Sequence, residues 1–233
     1  METLDNNPTP SASRWQELST RIASASVLMA VFLVILWQGG WWFTWLVVLA
    51  ALIMSKEWNG LTERDDNIVR FTGLFYVSVP CACLIWLRGI QLEAVPSVGL
   101  HLVLFLMVTV WATDTGAYFI GRQFGKTKMF PAISPKKTWE GLGGGVGFAI
   151  IGAQIIELIF PVGFSLGKSA LLGFVISLLA QTGDFLESWM KRRAGVKDSG
   201  TLIPGHGGLL DRIDGLIFSL PFFALVVHFS LAS

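Results

Sequence analysis

The chain has 233 residues, 53% of them hydrophobic and only 14% charged, with a formal net charge of +1. That apolar share leaves glycine out, yet it exceeds the soluble average of about 45–50% that counts glycine in. An ordinary soluble domain is excluded, no nucleic-acid partner is expected, and hydrophobic stretches of the roughly 20 residues that cross a bilayer recur along the chain.

Residues 1–21 read as a polar tail, and Pro8 and Pro10 argue against a packed start. Arg14 and Arg21 precede an apolar run in the manner of a signal peptide. Its end at Trp37-Gln38-Gly39-Gly40 offers no small-x-small cleavage site, so it reads as an uncleaved first span. Seven candidate spans follow from hydropathy: Ile22–Trp37, Trp41–Met54, Phe71–Leu87, Val98–Ile120, Leu142–Phe160, Ala170–Trp189 and Leu210–Leu231. The first two are short and joined by Gly39-Gly40, which predicts a tight antiparallel hairpin. Cys81 and Cys83 lie in an apolar run with no nearby His or Cys, and read as small buried residues rather than a zinc site or a disulfide. The expected fold is an all-α integral membrane protein, a polytopic bundle of about seven transmembrane helices. Residues 22–96 form its N-terminal helices. Residues 97–233 form the region carrying chemistry, with polar loops at 121–141 and 190–209.

Charge asymmetry orients this bundle. With the N-terminus in the cytoplasm, Arg14, Arg21, Lys56, Arg64, Arg70, Arg122, Lys126, Lys128, Lys136, Lys137, Lys191, Arg192, Arg193, Lys197 and Arg212 all face inward. Only Arg88 and Lys168 face outward, a split of 15 to 2 that follows the positive-inside rule. Trp37, Trp41, Trp42 and Trp86 would mark the outer interface, and Trp58, Trp139 and Trp189 the inner one. The connection Lys56–Arg70 has mixed charge and reads as a solvated linker.

Asp114, Asp184 and Glu187 sit inside apolar segments, and Asp211 and Asp214 open the last one. A carboxylate at membrane depth costs about 2.5–3.5 kcal/mol on insertion scales and marks a functional site by default. Asp184/Glu187 and Asp211/Asp214 are i,i+3 pairs, so each pair shares a helix face. Carboxylates crowded together repel unless protons or cations intervene, and Mg²⁺, with its preference for oxygen ligands, fits that need. Buried pairing with Lys191, Arg192 and Arg212 is the structural alternative, and Asp114 could instead pair with Arg122 or Lys126. Glu157 lies toward the outer end and outside this set.

The loop from Gly121 reads GRQFGKTKMFPAISPKKTWEG. Its Gly-Arg-Gln-Phe-Gly-Lys-Thr has three intervening residues where a P-loop has four, and no strand precedes it. Ser134-Pro135 reads as an N-cap followed by proline at N1. Lys136 and Lys137 would then occupy a first helical turn, where a bound phosphate would relieve their conflict with the helix dipole. Attraction to anionic lipid is the competing use of these lysines. Gly141/Gly145 and Gly143/Gly147 read as small-xxx-small packing pairs. In Pro204-Gly205-His206-Gly207-Gly208 the glycines permit close approach of backbone to a ligand. His206 could donate to phosphate, move a proton or cap the next helix, whereas His101 and His228 lie in apolar spans and read as packing residues.

Ser188-x-Met190-Lys191-Arg192, Lys197-Asp198-x-Gly200 and Ile203-Pro204-x-His206-Gly207-Gly208-Leu209-x-Asp211-Arg212-x-Asp214 resemble the signature of the phosphatidate cytidylyltransferases (CDP-diacylglycerol synthases). Asp114-Thr115-Gly116-Ala117-Tyr118 and Ser134-Pro135-Lys136-Lys137-Thr138-Trp139-Glu140-Gly141 resemble that family's other blocks, and the resemblance covers roughly Trp111 to the C-terminus. It implies CTP and phosphatidic acid as reactants, CDP-diacylglycerol and pyrophosphate as products, and Mg²⁺, with a second cation such as K⁺, as cofactor. On this reading Asp184, Asp211 and Asp214, with Glu187 and Asp198, hold metal. Lys136, Lys137, Lys191, Arg192 and Lys197 bind phosphates, with Ser134 and Asp114 beside the substrate. Arg212 orients the acids, and His206 is optional chemistry. The location implied is a bacterial inner membrane with the site on its cytoplasmic side; a homodimer is compatible with it. Two other readings are an ion-coupled transporter and a related CTP-dependent lipid or polyprenol kinase or cytidylyltransferase. Against the transporter stand the absence of an internal repeat and the clustering of the acids at one end rather than the midplane.

Overall fold

Gly39, at φ 67°, turns the chain between two apolar runs where an L side chain would be strained. In this computed structural model, which describes residues 26–27, 29–63, 67–200 and 207–232, the runs it separates are α1 (Met29–Gln38) and α2 (Gly40–Leu61). Arg88 secures the turn, donating from Nε to Leu36 O at 2.8 Å and from Nη2 to Trp37 O at 2.9 Å. Those carbonyls end α1 and have no partner within their own helix.

Then come α3 (Asn67–Gly89), α4 (Val98–Phe124), a hairpin of β1 (Lys128–Phe130) and β2 (Ser134–Thr138), α5 (Trp139–Ile159), α6 (Leu166–Ala194) and α7 (Leu210–Ala232). Among the described residues five helices, α3 to α7, are long and apolar enough to cross a membrane. The expected all-α polytopic membrane fold is therefore present. Its first helix pair differs from the other five, because α1 is described over only ten residues and α2 is not among those five.

α4 is the centre of the bundle and packs against α3, α5, α6 and α7. Phe105 on α4 stacks on Phe223 of α7 at 5.6 Å, and Phe164 meets both rings edge-on. Small residues let the helices close. A Cβ on Gly145 would lie 3.0 Å from Thr113 O, and one on Gly141 3.0 Å from Ala117 O. The Gly141/Gly145 pair therefore packs α5 on α4 as expected. Gly143 and Gly147 have nothing within 4 Å and do not form the second packing pair.

Several helix ends run past their expected limits. α2 continues through Leu61, so Lys56 and Glu57 are helical rather than part of a solvated linker. Trp58 is not an interface residue either. It is buried, stacks on Tyr76 at 4.8 Å and donates to Val69 O at 3.3 Å. α6 carries Lys191, Arg192 and Arg193 in its last turn and stops at Gly195, which is left-handed at φ 72°. Cations at that end complement the helix dipole, which is why the basic triplet extends the helix instead of opening the loop. His101 does more than pack, contacting Ser97 Oγ and Pro161 O at 3.0 Å each.

Candidate active site

The end of α2, the β1–β2 hairpin, the end of α6 and the start of α7 meet at one end of the bundle, joined by Glu57 to Leu209 and Leu210, Lys137 to Asp184 and Arg192 to Ile133. The hairpin has a different structure from the one its sequence suggests. Ser134 does not cap a helix: Ser134–Thr138 is a strand paired antiparallel with Lys128–Phe130. The cap is Thr138, whose Oγ1 accepts from Gly141 N at 3.1 Å. Alternation along β2 then sends successive lysines to opposite faces. Lys136 is exposed, while Lys137 turns inward, placing its ammonium 2.8 Å from Asp184 Oδ2. The two lysines therefore do not converge on one helix-end anion. Glu140, in the first turn of α5, accepts from Thr127 N at 3.1 and 3.2 Å and so ties the helix start to the entry of the hairpin. Gly121 and Gly125, the glycines of the P-loop-like run, pack against Thr138.

The hairpin is docked on α6. Phe130 meets Phe185 at 4.7 Å, and Arg192 Nε donates to Ile133 O at 3.4 Å. Arg192 also bonds Val196 O at 3.3 Å, so its guanidinium braces the hairpin and the turn after α6.

α6 and α7 cross closely because Gly183 leaves room. A Cβ there would lie 2.6 Å from Phe218 Cβ and 2.7 Å from Asp214 O. The crossing brings Asp184 and Glu187 on α6 beside Asp211 and Asp214 on α7. Glu187 is 3% exposed, and its nearest cation is Lys191, 3.5 Å away. Asp214 lies within electrostatic reach of that carboxyl group, and neither Glu187 oxygen has a hydrogen-bond partner among the described residues. Neighbouring carboxylates repel unless a proton or a cation intervenes. Asp114, about two turns before Arg122 on α4, joins the same group, within electrostatic reach of Asp214, Asp184 and Lys137. Arg122 does not compete for it, since that side chain donates to Tyr118 Oη at 2.7 Å.

Asp211 stands apart from the other acids. Its Oδ1 receives Lys191 at 2.6 Å, and its Oδ2 accepts from Ser199 N, Ser199 Oγ and Gly208 N at 2.9, 3.0 and 2.8 Å. With three donors on one oxygen and an ammonium on the other, this carboxylate ties Ser199 and Gly208 to the start of α7. Asp198 is exposed beside Gly207. Hence the expected gathering of Asp184, Glu187, Asp198, Asp211 and Asp214 into one ligand set is not found. Among the described residues no three acidic, His or Cys side chains are placed to share an ion. What fits a cation is the Glu187–Asp214 pair with Asp184 nearby, and Mg²⁺ commonly takes only one or two carboxylates and completes its shell with water and substrate phosphate. Lys197 and Arg212 are exposed at the rim. His206 lies outside the described residues.

Sequence reasoning passed over Glu57. This buried residue of α2 receives Leu209 N at 2.9 Å and Leu210 N at 2.8 Å. The available signal was its position: a lone acid next to Trp58 at the end of an apolar run, which on helical spacing continues the helix inward.

The arrangement offers ammonium groups for anions and neighbouring acids for a cation at one end of an apolar bundle. Comparison with known proteins agrees with this chemistry. The cytidylyltransferase family profile matches residues 19–91 and 67–230. The phosphatidate cytidylyltransferase of Brucella suis biovar 1 (strain 1330) is 35% identical over 244 residues, covering 86% of this chain and 89% of its own. That of Haemophilus influenzae (strain ATCC 51907 / DSM 11121 / KW20 / Rd) is 39% identical over 202 residues, 82% of this chain and 67% of its own. A third, from Staphylococcus aureus (strain COL), is 32% identical over 253 residues, 88% and 96% respectively.

Proposed function

The chain belongs to the cytidylyltransferase family, and from that footing we propose that it transfers CMP from CTP to phosphatidic acid, giving CDP-diacylglycerol and pyrophosphate. The observation that carries the reading is the convergence of Asp114, Asp184, Glu187 and Asp214 with Lys137 and Lys191 at one end of an apolar bundle. A charged site at a helix-bundle end suits a water-soluble triphosphate and a phosphate anchored in a leaflet. We place that end in the cytoplasm of a bacterial inner membrane, on the positive-inside asymmetry.

In the reaction a non-bridging oxygen of the lipid phosphate bonds to the α-phosphorus of CTP. The bond from that phosphorus to the β-bridging oxygen breaks, and pyrophosphate leaves with the electron pair. A phosphate monoester dianion is already a nucleophile near neutral pH, so no dedicated base is required. Catalysis of this kind is largely positioning and stabilisation of developing charge. Lys137 and Lys191 present ammonium groups from β2 and α6, and Arg192 keeps the hairpin over the site. Glu187 and Asp214, with Asp184 beside them, are the residues that would hold Mg²⁺, which when bound neutralises phosphate oxygens and supports the leaving group.

The test is the purified protein with labelled CTP, phosphatidic acid and Mg²⁺. Lipid-linked CMP in the parent, lost in Asp214→Asn, is the expected result. No lipid-linked product, with ion flux through reconstituted vesicles lacking CTP, would overturn it in favour of a transporter.

A further inference from the structure

Glu57 connects the N-terminal helices to the charged end of the bundle. Its carboxylate is 8% exposed, and 142 residues separate it from Ser199, whose Oγ lies 3.4 Å from Oε2. Its two oxygens accept the first amides of α7, Leu209 N and Leu210 N. Ser199 N donates to Asp211, which holds Lys191, and the single Ser199 hydroxyl proton is shared between Asp211 Oδ2 at 3.0 Å and Glu57 Oε2. A continuous polar chain therefore runs from Glu57 through Ser199 and Asp211 to Lys191, and so to Glu187. The fit around Glu57 is close: a Cβ on Gly200 or on Gly208 would lie 2.7 Å from its Oε1, so both glycines are places where backbone approaches this carboxylate.

The fold uses the same device at the opposite end, where no reactive group is gathered. There Glu157 Oε1 accepts from Val162, Gly163 and Phe164 N at 3.1, 2.9 and 3.0 Å. What distinguishes Glu57 is what its clamp leads to.

Resting on the phosphate-transfer reading above, we propose that Glu57 is a positioning residue for that reaction. It fixes the start of α7 at Leu209 and Leu210 beside Ser199 and Gly200, so that Asp211 holds Lys191 in line with Glu187 and Asp214. Charge-assisted bonds to backbone N–H groups are among the stronger ones. Glutamine in its place keeps an acceptor for one amide and turns a donor toward the other.

The test compares Glu57→Gln, Asp211→Asn, the double variant and the distant control Glu157→Gln, each purified in the full chain. CDP-diacylglycerol formation and amide exchange across residues 207–216 are measured. The expected result for Glu57→Gln is a kcat lower by about 10–100-fold, as for other groups that orient a reacting group. KM for CTP and for phosphatidic acid should stay at the parent value. Exchange at Leu209 and Leu210 should quicken. The double variant should be no slower than Asp211→Asn alone, because residues acting through one network are not additive. Glu157→Gln should keep the parent kcat per folded molecule. Should Glu57→Gln not fold, Glu57→Asp, which keeps the charge with a shorter reach, enters the same cycle. A parent-like kcat in the Glu57 variant, or a double variant slower by the product of the single effects, would overturn the proposal. A parent chain that makes no CDP-diacylglycerol would overturn the substrate reading instead, and the exchange measurement would still decide whether Glu57 holds α7.

Discussion

Lys137 Nζ sits 2.8 Å from Asp184 Oδ2, joining the β-hairpin to α6 at the charged end of the bundle. Lys136, the next residue along the strand, faces solvent. The pair is partly exposed, so its worth to stability is modest, and its effect should appear in turnover. Lys137→Ala is expected to lower kcat/KM by about 100-fold, the scale for losing one preorganised donor to a developing anion. Lys136→Ala should change it several-fold at most. Initial rates of lipid-linked CMP formation on the two variants decide this, and equal losses would mean that both lysines reach the same anion.

Lys191 is different, because it is enclosed. Its ammonium serves Asp211 at 2.6 Å and Glu187 at 3.5 Å. Lys191→Met leaves two acids without their cation, a change that costs about 3–5 kcal/mol at buried pairs. Thermal unfolding in detergent should show a markedly lower Tm. Adding Asp211→Asn to Lys191→Met should recover part of that loss by removing one orphaned charge. No recovery would show that Lys191 supports the fold through packing of its stem.

How much of this was legible beforehand depends on which force set each feature. The spans, the charge asymmetry and the acids at one end follow from hydropathy and helical spacing, which act along the chain. The hairpin at Lys128–Thr138 does not. Ser134-Pro135 has good helix-start chemistry, yet pairing with Lys128–Phe130 and the contact of Phe130 with Phe185 prevail. Glu57 was missed for a related reason: its partners Leu209 and Leu210 come from the far end of the chain, and no local pattern announces them. Asp211 shares a helix face with Asp214, but its bonds to Ser199, Gly208 and Lys191 are tertiary contacts that this spacing does not announce.

Metal dependence separates the acids. Chelation with EDTA should abolish product formation and added Mg²⁺ should restore it. Glu187→Gln and Asp214→Asn should each raise the Mg²⁺ concentration for half-maximal rate by about 10-fold or more, whereas Asp198→Asn should leave it unchanged. The first two residues lie within electrostatic reach of each other inside the bundle, and Asp198 is exposed at its edge. Losing a group that only orients a metal ligand changes metal affinity by about 10–100-fold, so a directly liganding pair should give at least that. An unchanged Mg²⁺ titration in both would point to a shared proton between Glu187 and Asp214.

Orientation can be read with an impermeant thiol reagent in a Cys81→Ala, Cys83→Ala background. Lys128→Cys on the hairpin and Glu93→Cys between α3 and α4 are both exposed, at opposite ends of the bundle. In intact spheroplasts Glu93→Cys should label and Lys128→Cys should not, and opening the membrane should make both reactive. The reverse pattern would put the charged end outside, away from any cytoplasmic CTP.

The close crossing of α6 and α7 makes the last prediction. Gly183 has Phe218 Cβ 2.6 Å and Asp214 O 2.7 Å from where its Cβ would stand, and backbone cannot yield as a flexible side chain does. Gly183→Val should therefore force the helices apart, costing about 1–3 kcal/mol as overpacked sites do. It should also separate Asp184 and Glu187 from Asp214, so activity per folded molecule should fall together with Tm. Gly143, exposed on α5 with nothing within 4 Å, is the counter-case. Gly143→Ala meets no neighbour and gains up to about 1 kcal/mol of helix propensity, so its Tm should hold or rise with parent turnover. If Gly183→Val kept full turnover at a temperature where it is folded, the acids of α6 and α7 would not need their close approach, and the cation site between Glu187 and Asp214 would lose its structural basis.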